Sequence, residues 1–134
     1  MAENLMTTNC YYCKGKIAIV GACLEQVSPI GYSKVAEGMD QIFTLCLEDS
    51  HINMAVTKIS AIIGMHQVEE IVFASVDRSP HCTQMHYIKH EIERTLPVHV
   101  PITDYVIVNN EPVLVSDEAI DMSKSLGKLA EMYK

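Results

Sequence analysis

Three side chains that could do chemistry stand four residues apart in the stretch VFASVDRSPHCTQMHYIKHEIE (72–93). Cys82, His86 and His90 would share one face of a helix, because positions four residues apart are offset by only ~40°. Glu93 continues the same line. A thiol with imidazoles can bind zinc or another borderline metal, or can serve as a nucleophile with its base. This stretch therefore predicts either metal or thiolate chemistry.

The beginning of that helix is marked by Ser79 and Pro80, which are typical of an N-cap and a first helical residue. The pattern predicts one helix from Ser79 to about Thr95. Cys82 would then lie in the first turn, where free backbone N–H groups and the helix dipole favour a negatively charged side chain such as a thiolate. The same helix start could hold an anionic cofactor, with Ser79 and His81 in contact with it.

A catalyst built on this stretch would give each polar residue a role. Cys82 would be the nucleophile or a zinc ligand, and His86 or His81 would be its base. Arg78 would hold an anionic substrate. Two other chemistries lack their motifs: no Gly-x-Ser-x-Gly elbow supports a Ser-His-Asp hydrolase, and the single glycine of VGACLE is too few for a dinucleotide fingerprint.

Strands alternate with helices along the chain. Apolar runs predict strands at 16–22, 41–49 and 69–76. Residues 52–64 have helical periodicity, and Asp49 or Ser50 could cap this helix. The strand at 69–76 is apolar without alternation, which is typical of a central parallel strand covered on both faces.

The C-terminal part predicts a hairpin and a helix. Residues 104–116 form the hairpin, which turns at Asn109-Asn110-Glu111, and Pro112 places its second strand at an edge. Ser116 caps a final helix whose inward residues are Ile120, Leu126, Leu129 and Ala130. The whole chain is thus predicted as a single α/β domain, 1–134: a three-layer sandwich with a mainly parallel sheet, and an N-terminal CxxC segment at 1–14.

The strand order brings three cysteines to one place. Cys23 follows the first predicted strand, Cys46 ends the second, and Cys82 begins the helix after the third. Ligands in open α/β sheets bind beyond the carboxyl ends of parallel strands. If these strands are parallel and adjacent, all three thiols reach the same edge of the sheet.

Cys10 and Cys13 form the other cysteine signal, Cys10-Tyr11-Tyr12-Cys13. A CxxC pair can be half of a zinc site, an iron–sulfur ligand pair or a redox dithiol. A thioredoxin-type motif follows a strand, whereas this pair precedes the first predicted strand. The alternative interpretation is that Cys10 and Cys13 are an ordered pair of ordinary thiols.

The order of cysteines resembles that of the small iron–sulfur subunit of methyl-viologen-reducing hydrogenases. The matching positions are Cys10 and Cys13 (or Cys23), Cys46 and Cys82, and CTQMHY stands where that family has a C-H-Y segment. The resemblance spans roughly residues 10–87. It implies an iron–sulfur cluster on these cysteines and a larger redox enzyme as partner.

Composition excludes several classes of function. The net charge is −7 and the ten Lys and Arg are scattered, so nucleic acid is not an expected partner. No apolar run approaches the ~20 residues that span a bilayer, and the N-terminus lacks a secretory signal. We therefore expect no membrane partner and a cytoplasmic protein, in which five cysteines are free, metal-bound or redox-active.

Three functions are compatible with these observations. The first is a small metal- or iron–sulfur-binding protein with a redox or electron-transfer accessory role, whose ligands are Cys10, Cys13, Cys23, Cys46, Cys82 and His86. The second is a zinc or thiolate enzyme centred on Cys82. The third is a non-catalytic binding or assembly module, since free cysteines are often simply buried. In each case we expect a homo-oligomer, because a short chain with a terminal hairpin has an edge to cover.

Overall fold

The structure, a computed structural model, describes residues 2–134 and contains one six-stranded sheet. Its strands are β1 (Glu3–Asn4), β2 (Gly15–Gly21), β3 (Gln41–Leu45), β4 (Val68–Val76), β5 (Ile102–Val108) and β6 (Glu111–Val115). The order across the sheet is β1-β3-β2-β4-β5-β6. All neighbouring strands are parallel except β5 and β6.

Helices cover both faces of the sheet. They are α1 (Leu24–Val27), α2 (Pro29–Ala36), α3 (Ile52–Gly64), α4 (Pro80–Met85), α5 (Ile88–Thr95), α6 (Asp117–Lys124) and α7 (Leu126–Met132). Side chains of β2 alternate between the two faces, as a strand requires. Ile17 and Ile19 pack with α3 and α5, while Ala18 and Val20 pack with α1 and α2. The predicted three-layer α/β sandwich is thereby confirmed.

The helix predicted from Ser79 to Thr95 is wrong in one respect, because it is broken. Helix α4 ends at Met85, a turn follows at His86 and Tyr87, and α5 begins at Ile88. The break lets the His86 side chain turn onto the sheet, while Ile88 and Ile92 continue into the core. Cys82 and His90, which lie on either side of the turn, therefore do not share one face of a continuous helix.

Two boundaries near Cys46 also differ from the sequence prediction. Strand β3 ends at Leu45, so Cys46 is the first residue of the following loop. Neither Asp49 nor Ser50 caps α3. Both lie in a tight turn, in which their backbone N–H groups donate to the Cys46 carbonyl. The cap is His51, whose Nδ1 accepts from the Asn53 backbone N–H at 3.1 Å.

The C-terminal hairpin is present as predicted. Asn109 and Asn110 turn the chain with φ of 50° and 66°, and β6 with Pro112 forms the edge of the sheet. Ser116 caps α6, and Ile120 is buried. A break at Ser125 separates α6 from α7.

The expectation that the rest of this terminal helix faces inward is wrong. Leu126 is 78% exposed, Ala130 is exposed, and Leu129 is half-buried. Within residues 2–134, no helix is both long enough and apolar enough to cross a membrane. The homo-oligomer stays a prediction; Leu126, Met132 and Tyr133 are large hydrophobic residues exposed near the C-terminus.

Candidate functional site

The carboxyl edge of the sheet brings three thiols around one cavity. Cys23 lies in the turn after β2, Cys46 in the loop after β3, and Cys82 in α4 after β4. All three line a cavity of about 50 Å³, together with Glu48, Ser79 and His81 and with apolar walls from Ala22, Leu45, Leu47 and Met85. The cysteines are free, Cys23 exposed and the other two partly buried. The convergence expected from strand order is therefore present.

This cavity adjoins the point where the topology reverses. From β2 the chain passes through α1 and α2 to β3 on one side, and then returns over α3 to β4 on the other side. The connections leaving β2 and β4 lie on opposite faces, which leaves a crevice at the carboxyl ends of these two strands. Gly21, at the end of β2, lies in that crevice.

Cys82 is held close to Gly21. A Cβ at position 21 would stand 3.0 Å from Cys82 Sγ and 4.0 Å from the Cα of Ser75. The Ser79 hydroxyl accepts from the Cys82 backbone N–H at 3.4 Å, which fixes the first turn of α4. The absence of a side chain at Gly21 therefore makes room for the thiol.

The other polar residues predicted near this helix start have different places. His81 lines the cavity with its Nε2 3.8 Å from Glu48 Oε2, although its side chain is 53% exposed. Ser79 caps α4, which has only six residues. Arg78 is exposed, adopts a φ of 70° and does not line the cavity. Of the residues proposed for cofactor or substrate binding, Ser79 and His81 adjoin the thiols and Arg78 does not.

His86 lies beneath the surface in a chain of hydrogen bonds. Its Nδ1 is 2.7 Å from Asp104 Oδ1 and its Nε2 is 2.6 Å from Ser75 Oγ. Ser75, His86 and Asp104 are at most 4% exposed. Both ring nitrogens are thus engaged, so neither is free to bind a metal, and His86 does not line the thiol cavity.

Ser75 and Asp104 were missed by sequence reasoning. Ser75 is a polar residue inside the apolar run IVFASV, and Asp104 stands beside the hydrophobic run YVIV. Buried polar groups need hydrogen-bond partners, so such residues signal a partner elsewhere in the chain. That partner could not be identified from a continuous helix over Ser79–Thr95, because the break at His86 is needed to turn its side chain onto the sheet.

His90 and Glu93 are separate from the thiols. His90 Nε2 is 3.8 Å from Asp117 Oδ1, and its Nδ1 is 3.0 Å from the Lys124 ammonium. Glu93 lines an open depression together with Lys89 and Ile92. The stripe Cys82–His86–His90–Glu93 is consequently divided among separate environments.

The CxxC pair lies at the opposite end of the sheet. Gln41 and Gln67, at the amino ends of β3 and β4, donate to the carbonyls of Tyr12 and Tyr11. Strand β2, seven residues and roughly 20 Å long, separates this segment from the thiol cavity. Cys10 and Cys13 therefore do not join Cys23, Cys46 and Cys82 in one ligand set.

Cys13 is fully buried, with its Sγ 3.8 Å from the Asn9 carbonyl oxygen. Burial, and secondarily the neighbouring Cys10, raise the pKa of the Cys13 thiol. Within residues 2–134, no three His, Cys, Asp or Glu side chains are arranged so that they could hold a metal ion. The arrangement presents thiols at the carboxyl edge without a ready metal-binding geometry.

Sheet order and the crevice at the reversal point define a Rossmann-like α/β domain. Comparison of the sequence with protein families agrees: residues 11–132 match the Rossmann-like domain family, and the chain belongs to it. No curated protein and no solved structure matches the chain. The family gives the fold, and the chemistry of the site has to be argued from its residues.

Proposed function

We propose that this protein is a small thiol redox protein, in which Cys82 forms a reversible disulfide with Cys46 or Cys23. The observation that carries the proposal is the position of three thiols, from three separate segments, around one cavity. The two segments that contribute Cys23 and Cys46 are a turn and a loop, which can adjust to bring a sulfur within bonding distance of Cys82.

The reaction is a thiol–disulfide exchange with an oxidant of the disulfide class. A thiolate of the cavity attacks one sulfur of the external disulfide, forms a mixed disulfide and releases the first external thiolate. A second cavity thiolate then attacks the protein sulfur of the mixed disulfide, closes the internal disulfide and releases the second external thiolate. Two protein thiols are oxidised, one external disulfide is reduced, and two protons go to solvent or to the released thiolates.

Exposure assigns the first step to the outermost sulfur. Cys23 is exposed, whereas Cys46 and Cys82 are partly buried. An external disulfide reaches Cys23 first. The partly buried Cys82 then attacks Cys23 in the mixed disulfide and closes the internal disulfide. Oxidants that fit into the cavity reach Cys46 or Cys82 directly. In both routes Cys82 is a member of the final disulfide.

The size of the cavity limits what else binds there. Sites for drug-sized ligands and cofactors have volumes of roughly 300–1,000 Å³, whereas this cavity has about 50 Å³. Its chemistry is therefore that of the lining thiols, with the redox partner approaching from outside. A larger redox enzyme with an accessible disulfide is a partner of the required class. The five free cysteines support a reducing compartment such as the cytoplasm.

Equilibration with glutathione redox buffers tests the proposal. Protein purified without oxygen is brought to equilibrium, quenched with acid and assayed for internal disulfide by mass. We expect one reversible two-electron transition that Cys82→Ser abolishes and that the control Cys10→Ser/Cys13→Ser retains. A transition that persists in Cys82→Ser contradicts the proposal.

Metal analysis of the same preparation covers the alternatives. Stoichiometric zinc, or iron with acid-labile sulfide, that is lost in Cys82→Ser would contradict the redox proposal and support a metal-binding protein. Absence of both metal and disulfide would leave a non-catalytic binding or assembly module.

A further inference from the structure

A buried chain of three polar residues lies under the thiol site without being part of the proposed exchange. Asp104 accepts from His86 Nδ1–H, so in the neutral imidazole the Nε2 atom accepts from the Ser75 hydroxyl. The Asp104 side chain is fully buried. Burying a carboxylate destabilises the folded protein unless the charge is paired or hydrogen-bonded. The buried Asp104 therefore depends on its hydrogen bond from His86.

The chain connects three elements of the fold. Ser75 belongs to β4, Asp104 to β5, and His86 closes the C-terminal end of α4. Because α4 has only six residues, its position depends on its two ends. Ser79 fixes the first turn through the Cys82 N–H, and His86 ties the other end to the sheet.

The same chain adjoins the thiol through Gly21. The position that a Cβ of Gly21 would occupy lies 3.0 Å from Cys82 Sγ and 4.0 Å from the Ser75 Cα. Ser75 is thus both a neighbour of the thiol site and the residue that bonds His86. A change at Ser75 or His86 would be transmitted to Cys82 by a displacement of α4.

One atom of the chain has a free acceptor site. Among the buried side-chain oxygen and nitrogen atoms of residues 2–134, Asp104 Oδ2 alone has no hydrogen-bond partner. Lys89 of α5 is electrostatically coupled to Asp104, and this coupling favours the charged ammonium. The Lys89 ammonium itself bonds Asp117 of α6 at 2.8 Å. The groups that face His86 are therefore the Asp104 carboxylate and the Ser75 hydroxyl, with Lys89 beyond Asp104 and Cys82 on its own helix.

We propose that Ser75, His86 and Asp104 form a buried hydrogen-bonded chain that positions Cys82 by fixing the C-terminal end of α4 to the sheet. While the chain is intact, α4 holds the partly buried Cys82 thiol against Gly21. Loss of a hydrogen bond in the chain releases this end of α4, so the reactivity of Cys82 relative to the exposed Cys23 rises.

This inference deepens the proposed function but is tested without an oxidant. Alkylation by iodoacetamide is followed by mass for each cysteine at constant pH, and the exposed Cys23 is the reference thiol within the same molecule. Internal disulfide formation plays no part in this measurement. Its outcome is thus independent of the glutathione equilibrium.

Three variants test whether the chain positions Cys82. Ser75→Ala removes the hydroxyl bonded to His86, and we expect the Cys82/Cys23 rate ratio to rise roughly fivefold, a factor that corresponds to one buried hydrogen bond. Ser75→Thr keeps the hydroxyl and restores the wild-type ratio. Asp104→Asn keeps the shape but replaces the charged acceptor of the His86 hydrogen bond with a neutral, weaker one, so the ratio should rise as well.

Ser33→Ala, on the exposed surface of α2, is the matched control and leaves the ratio unchanged. Circular dichroism establishes that each variant is folded. Folded Ser75→Ala with a wild-type ratio would overturn the proposal, as would a changed ratio that Ser75→Thr fails to restore. Should Asp104→Asn not fold, the Ser75→Ala and Ser75→Thr pair decides the question.

Discussion

The sulfur of Cys82 lies against Gly21, in the space that a side chain at position 21 would fill. A Cβ there would stand 3.0 Å from Cys82 Sγ, closer than ordinary van der Waals contact. Gly21 ends β2 and Cys82 follows β4, so this contact spans the point at which the strand order reverses. The position of the Cys82 thiol in this Rossmann-like domain therefore depends on Gly21, and an alanine at position 21 tests this contact.

Gly21→Ala should displace the Cys82 thiol while the fold is retained. The methyl group meets the end of a flexible side chain, so we expect a loss of about 1 kcal/mol in unfolding free energy, at the low end for overpacking. Alkylation of Cys82 becomes faster because its sulfur is pushed outward. Gly64→Ala is the control: it meets open space at the end of α3, and it should stabilise the protein by about 0.5–1 kcal/mol. An unchanged alkylation rate in Gly21→Ala would contradict the packing described for Cys82.

Gly31→Ala should be more damaging than Gly21→Ala. Its Cβ would stand 2.5 Å from Ile107 Cγ2 and 2.8 Å from Ser28 Oγ, and Ile107 is a buried residue of β5. We expect a loss of about 1–3 kcal/mol from overpacking, measured by urea unfolding. Gly127→Ala in α7, with nothing within 4 Å, should cost nothing. Equal stabilities of Gly31→Ala and Gly127→Ala would show that α2 does not lie this close to β5.

Cys13 should be the slowest of the five cysteines to react. Burial raises the pKa of its thiol, with a smaller contribution from Cys10, so the thiol stays protonated at neutral pH. Only the thiolate reacts with iodoacetamide, and the sulfur is inaccessible as well. Time-resolved peptide mapping should therefore find Cys23 alkylated first and Cys13 last. Early alkylation of Cys13 would argue against the burial of this thiol.

Acid should release α6 from α5. The hydrogen bond from Lys89 lowers the pKa of Asp117 against the opposing effect of burial, and the charges of Lys89 and His90 add to it. A carboxyl whose folded-state pKa is lowered stabilises the folded form above its unfolded-state pKa, and this stabilisation is lost as the pH falls through the folded value. The protection factors of the α6 amides, which correct for the slower intrinsic exchange in acid, should therefore fall below roughly pH 4. In Lys89→Met this acid dependence should be weaker, and α6 protection that is constant to pH 2 in the wild type would refute the ion pair.

The sequence was sufficient for the elements whose pattern is local. Strands β2 and β4, helix α3 and the Asn109–Asn110 turn follow from apolar periodicity and turn chemistry. The convergence of Cys23, Cys46 and Cys82 required only that the strands be parallel and adjacent. It was therefore predictable without knowledge of any side-chain contact.

The remainder depended on contacts that sequence patterns do not encode. The break at His86 is coupled to hydrogen bonds with Ser75 and Asp104, which lie 11 and 18 residues away along the chain. No propensity of the stretch CTQMHYIKH indicates such partners. The exposure of Leu126 has the same kind of origin, because the break at Ser125 cannot be read from a continuous amphipathic pattern.

Disulfide mapping after brief oxidation is the decisive test of the thiol redox proposal. The reduced protein is exposed to oxidised glutathione, the exchange is quenched with acid, the remaining thiols are alkylated with a maleimide, and the linked peptides are identified by mass. We predict a peptide in which Cys82 is joined to Cys46 or to Cys23, in wild type and in Cys10→Ser/Cys13→Ser alike. Internal disulfides confined to Cys10 and Cys13, with Cys82 carrying only glutathione or nothing, would contradict it.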